Sequence, residues 1–115
     1  MLERGFVTYS NDAKIELLGV PEELIVRDGA VSESVARAMA EGATRHSHAQ
    51  AAVAVTGIAG PGGGSAAKPV GLVHIAAARE SAATLHEKHL FGDIGRGPVR
   101  MASVAAAMEL LLRLL

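Results

Sequence analysis

The stretch from Ala51 to Gly64 constrains this chain more than any other. An unbroken apolar run, Ala51-Ala52-Val53-Ala54-Val55-Thr56, empties directly into Gly57-Ile58-Ala59-Gly60-Pro61-Gly62-Gly63-Gly64. A continuous apolar run ending in glycines predicts a central strand buried on both faces, because a strand with one wet face alternates instead. Such a strand needs helices over both faces of its sheet, so the chain reads as α/β. Ligands of α/β sheets bind at the carboxyl ends of strands, where this loop sits. Glycines there let several backbone amides turn into one concavity and hold an anion. Thr56, Gly57, Gly60, Gly62, Gly63 and Gly64 are therefore candidate binding residues, and Lys68 adds positive charge suited to a nucleotide monophosphate.

Two familiar phosphate motifs do not fit. The Walker pattern needs Lys directly after its second glycine, but Gly63 follows Gly62 here. Gly62-x-Gly64-x-x-Ala67 matches the dinucleotide fingerprint loosely, yet Pro69 and a strand follow where a helix is required. A merely flexible surface connection is the competing reading.

Around this loop the sequence predicts the order β, α, α, α, β, β, β, α. Gly5 to Tyr9 reads as a strand and Ser10 as the cap of a helix that stops at Gly19. Pro21 opens a short helix to about Val26, and Asp28-Gly29 turns the chain. Ser32 caps a longer helix with an apolar stripe of Val35, Ala36, Met39, Ala40 and Ala43. Gly71 to Ala78 and Thr84 to Leu90 read as strands joined by a hairpin, and a final helix runs from Pro98-Val99 to the end.

Composition removes whole classes of function. The 115 residues suit one domain, and 11 basic against 12 acidic residues leave no basic footprint for nucleic acid. One Tyr, two Phe and no Trp give no stacking platform for bases. The absence of Cys excludes disulfides and a thiol nucleophile, and a reducing cytoplasm is the expected compartment. No apolar run approaches the length of a membrane span, and the opening residues lack that of a signal peptide.

Tyr9 and Lys14 stand five positions apart across a strand end and a helix start. An ammonium beside a phenol favours the phenolate, which can then take a proton from a nucleophile or water. The plainer reading makes Tyr9 a core aromatic and Lys14 a solvated residue. Arg96 and Arg100 bracket the start of the last helix, where they bind phosphate or pair with acidic neighbours. His46, His48, His86 and His89 lack a completing carboxylate pattern and read as solvated, with no metal expected. His74, alternating with Leu72 and Ala76, reads as a partly buried, satisfied histidine.

Several ordered strings together resemble the CinA C-terminal domain, the nicotinamide mononucleotide deamidase family. They are Thr8-Tyr9-Ser10-Asn11-Asp12-Ala13-Lys14 with Leu18-Gly19-Val20, Gly29-Ala30-Val31-Ser32-Glu33 with Val35-Ala36, Val55 to Gly64, Lys68-Pro69-Val70-Gly71, and Arg96 with Val99-Arg100. The resemblance implies hydrolysis of nicotinamide mononucleotide to nicotinic acid mononucleotide and ammonia, without a cofactor, by one domain over residues 1–115. It implies a three-layer α/β/α sandwich around a mixed, mostly parallel sheet. Tyr9 and Lys14 then match catalytic residues, while Thr56, the glycine loop, Lys68 and Arg96 or Arg100 match parts of a nucleotide pocket. The family begins earlier, with a loop carrying the serine nucleophile, so the expectation is that this chain lacks that serine, has little or no amidase activity in this form, exposes an apolar sheet edge and associates with further copies. A nucleotide-binding module without catalysis, or a fragment that only associates with other chains, stands as the alternative.

Overall fold

The computed structural model describes residues 3–115; Met1 and Leu2, which open the N-terminal stretch read above, lie outside it. Its elements are α1 (Asn11–Leu18), α2 (Glu22–Asp28), α3 (Glu33–Arg45), β1 (Ala51–Gly57), β2 (Leu72–Arg79), β3 (Leu85–Leu90) and α4 (Arg96–Leu114). The helix boundaries follow local chemistry. Ser10 Oγ accepts the Ala13 amide at 3.0 Å, and Gly19, at φ +67°, ends α1 in the left-handed region. Ser32 Oγ accepts the Val35 amide at 3.4 Å and donates to the Gly29 carbonyl at 2.7 Å, fixing both the start of α3 and the turn before it.

The strands form one sheet in the order β1-β2-β3, with helices on both faces. Ala54, Ala76 and Ala78 face the helices α1 to α3, packing against Leu18, Val20, Ile25, Val35, Ala36 and Met39. Val73, Ile75 and Ala77 face the other way, against Val99, Ala107 and Leu110 of α4. This is the expected three-layer α/β/α arrangement. Gly42 lets α3 lie directly on the end of α1, because a Cβ there would run into the Leu18 carbonyl.

Three expectations are corrected. Among the described residues both strand pairs are antiparallel, not mostly parallel. No helix lies between β1 and β2 or between β2 and β3, and without a crossover a chain returns antiparallel. The central strand is β2, buried from Leu72 to Ala78, while β1 lies at the sheet's edge with Val55 41% exposed. Apolarity alone does not distinguish the two, because edge position depends on which neighbours supply a ladder. Gly5 to Tyr9 is not a strand; it runs without a ladder partner, and the Thr8 carbonyl is taken by the Lys14 amine instead.

Two apolar features face outward: the free edge of β1, and a stripe on α4 of Met101, Val104, Met108 and Leu112.

Candidate functional site

Lys14 is buried although it carries an ammonium. A helical side chain leans toward the helix N-terminus, so Lys14 reaches back past the Ser10 cap and its Nζ donates to the Thr8 carbonyl at 2.9 Å. Loss of solvent pushes its pKa below the ordinary lysine value. Tyr9 is 91% exposed and lines, with Lys14, Phe6 and residues 51–55 of β1, a groove of about 740 Å³ along the free strand edge. The plainer reading of this pair is therefore inverted: the lysine is inside and the phenol outside.

The glycine loop is anchored at its base. The Ile58 amide donates to the Leu72 carbonyl at 2.9 Å and the Gly71 amide to the Ile58 carbonyl at 2.7 Å. Arg96 Nη1 donates to the Gly60 carbonyl at 3.1 Å, which ties the start of α4 to the loop. Gly60 has φ +82° and faces Val70 closely, so a side chain fits neither its backbone nor its space. The amides of Gly62, Gly63 and Gly64 donate no hydrogen bond among the described residues and border an open cavity of about 830 Å³. Unspent amides of this kind are what an incoming anion requires.

Gly62, Gly63 and Gly64 line one cavity, which Asp93 also lines, and Arg96 is joined to the loop through the Gly60 carbonyl; the other candidates lie apart from them. Lys68 Nζ turns to the Asp28 carbonyl and packs over Gly29, lining a different cavity. The buried Thr56 hydroxyl donates to the Ala30 carbonyl at 2.9 Å, and Gly57 backs onto Leu72 and Val73. Arg100 is exposed and makes no hydrogen bond or ion pair among the described residues. The groove of Tyr9 and Lys14 shares no lining residue with the glycine-loop cavity.

Sequence reading leaves His86 in solvent, yet His74 Nδ1 and His86 Nε2 lie 2.9 Å apart on the face covered by α3. The hairpin register was the signal that finds them: it sets His74 opposite Lys88 and Ala76 opposite His86, making the two histidines diagonal neighbours. His86 Nδ1 is 3.7 Å from Glu33 Oε1 at the start of α3. Burial, and then each other's charge at His74, pushes both imidazoles below the ordinary histidine value.

Among the described residues no helix is long and apolar enough to cross a membrane, and no three His, Cys, Asp or Glu side chains are placed to hold a metal ion.

A sheet sandwiched between α3 and α4, with a glycine loop opening from the end of one strand, defines a three-layer α/β domain with a strand-end ligand loop. The chain belongs to the CinA C-terminal domain family, whose pattern matches residues 1–115. A CinA-like protein of Mycolicibacterium gilvum is 54% identical over 112 residues, which are 96% of this chain and 26% of that protein. A CinA-like protein of Syntrophobacter fumaroxidans is 50% identical over 113 residues, again 26% of its length. The chain thus spans about a quarter of the curated relatives it matches. The crystal structure of competence/damage inducible protein CihA from Agrobacterium tumefaciens superposes with a TM-score of 0.96 at 55% identity, covering 97% of this chain and 68% of that one. A CinA superfamily protein from Escherichia coli gives 0.86 at 34% identity, covering 95% and 62%.

Proposed function

We propose that this domain serves a nicotinamide-nucleotide amidohydrolase, which converts nicotinamide mononucleotide and water to nicotinic acid mononucleotide and ammonia. The observation that carries the reading is Lys14: a buried amine whose pKa is lowered by burial, held beside a groove rather than in solvent. An amine shifted this way is part-neutral nearer physiological pH than an exposed lysine, which is what a general base needs. Removing a proton from the attacking oxygen lets it bond to the amide carbon; that proton then passes from the base to the nitrogen as the C–N bond breaks, and the nitrogen leaves as ammonia. Tyr9 stands in the same groove as a second proton-transfer group. The open amides of Gly62 to Gly64, with Arg96 fixing the loop, suit the substrate's phosphate.

No hydroxyl among the described residues is hydrogen-bonded to the Lys14 amine. Ser47 lines the same groove, but its hydroxyl donates to the Ala43 carbonyl at 2.6 Å and accepts the Ala49 amide at 3.2 Å. The second reading, a nucleotide-binding module without catalysis, is favoured by the separation of the Lys14 groove from the glycine-loop cavity. The test is ammonia release from nicotinamide mononucleotide by the protein and its Lys14→Met variant. With no hydroxyl hydrogen-bonded to the Lys14 amine, turnover is expected to be low, and the variant loses about 10²-fold or more of it, the usual worth of a general base, with amide dispersion retained. Equal turnover by both proteins overturns the role of Lys14, and turnover lost with Lys14 excludes the module.

A further inference from the structure

The His74–His86 contact is a hydrogen bond along the rings and not a face-to-face stack. The centroids are 5.1 Å apart and the planes within 24°, while the nearest nitrogens are 2.9 Å apart. That centroid separation is the nitrogen gap plus one ring radius on each side, so the rings point nitrogen at nitrogen. Two nitrogens aimed at each other share a proton; they do not converge on a third point as metal ligands do.

The network assigns the direction of the pair. Glu33 lies within charge range of His86 Nδ1, which places the proton there and leaves His86 Nε2 as the acceptor from His74 Nδ1–H. His74 Nε2 is then a lone pair with no partner among the described residues. His74 is only 8% exposed and lines a cavity of about 720 Å³ between the start of α3 and β2, whereas His86 does not line it. No buried side-chain nitrogen among the described residues lacks a hydrogen-bond partner, so the unpartnered His74 Nε2 is open to solvent, on a ring that lines that cavity.

The charges around it are unbalanced. Arg27 pairs with Asp28 at 2.8 Å and Arg37 with Glu33 at 2.9 Å, so these four offset one another. Lys68 and Lys88 line the same cavity and form no ion pair among the described residues: Lys68 donates to the Asp28 carbonyl, with the Asp28 carboxylate already paired to Arg27 though within reach of its charge, and Lys88 lies directly across the strand pair from His74. On β3, Glu87 is taken by His89 at 2.9 Å and Arg113 at 2.7 Å.

We propose that this cavity binds a small tetrahedral oxyanion, free phosphate or the phosphoryl group of a metabolite, held by His74 Nε2 with Lys68 and Lys88 supplying the charge. The site is separate from the glycine-loop cavity and does not depend on the amidohydrolase reading. Burial disfavours the charged form of the empty pair; an arriving anion favours it, and the protonated pair then donates through Nε2. Binding is thereby linked to uptake of one proton.

Sulfate, whose charge is constant in the relevant range, is the first probe, followed through the ring-nitrogen signals of His74 and His86. The expected result is a shift at His74 Nε2 and an affinity that rises several-fold as pH falls through the histidine range. Lys88→Met weakens sulfate several-fold and keeps the pH dependence, whereas His74→Gln removes that dependence. Inorganic phosphate binding as well as ribose 5-phosphate assigns the site to the free ion. Tighter binding of the sugar phosphate, with added shifts at Ser34 and Ala67, assigns it to a metabolite's phosphoryl group. Ring signals unmoved at saturating sulfate, with amide shifts confined to Gly62–Gly64, overturn the proposal in the unaltered protein, whatever the variants do.

Discussion

Lys14 and Gly42 show how far single residues carry this fold. Gly42 has the sharper consequence for stability. Its Cα lies where α3 crosses the end of α1, and a methyl group there meets the Leu18 carbonyl, a backbone atom that cannot rotate away. Gly42→Ala should therefore destabilise the protein by about 1–3 kcal/mol, although alanine is the better helix former. A urea midpoint checks this, and an unchanged or higher midpoint shows that the helices can separate without loss. Gly62, with open space around it, is the control for a glycine that packing does not require. Nothing in the sequence separates these glycines, because the difference lies in what the fold brings against each. The Lys14 and Tyr9 strings were legible as a pair of chemically capable groups. Which of them is buried was not, since that depends on the reach of Lys14 back to Thr8 and on an N-terminal segment that makes no ladder and leaves Tyr9 exposed.

Helices were more legible than strands. Ser10, Gly19, Ser32 and the Val35–Ala43 stripe each act within a few residues of themselves, so caps and periodicity place α1 and α3 closely. Ser32→Ala removes both the α3 cap and the hydroxyl held by the Gly29 carbonyl, and should cost about 1 kcal/mol or somewhat more. Thermal unfolding measures it, and a loss no larger than that at an exposed serine such as Ser81 argues against a structural cap. Strand pairing, by contrast, is decided at a distance. The run at Ala51–Thr56 is strongly apolar, yet β2 holds the centre, and the sheet's direction follows from connections that contain no helix. The His74–His86 pair likewise depends on strand register. Both folded values lie below the ordinary histidine value of 6.5, so the unfolded chain binds more protons as pH falls through that range. The pair's contribution is full above pH 6.5 and is lost as pH drops toward the folded values. Asp28, held down to about 2 by Arg27 and Ser34, titrates well below that window. The unfolding midpoint should fall between about pH 6.5 and 5, and His86→Gln should flatten that slope; an equal slope in both proteins excludes the pair as its source.

At the scale of the molecule, one sheet separates two chemistries. The helices α1 to α3 cover the face that holds Thr56, His74 and Lys68, and α4 covers the face to which Arg96 ties the glycine loop. The class of fold and the glycine loop were legible because composition, an apolar run and a glycine cluster are local or additive properties. The partition of candidate residues among three separate cavities was not, because it depends on which way each loop returns. On the proposed function, the loop after β1 receives the phosphate of a pyridine mononucleotide. Titration with nicotinamide mononucleotide, followed by amide shifts, should give saturable shifts at Gly62, Gly63 and Gly64 and at the Arg96 side chain, with Arg96→Ala weakening them. Shifts confined to distant residues such as His86 and His89, with the loop amides unmoved, would contradict it.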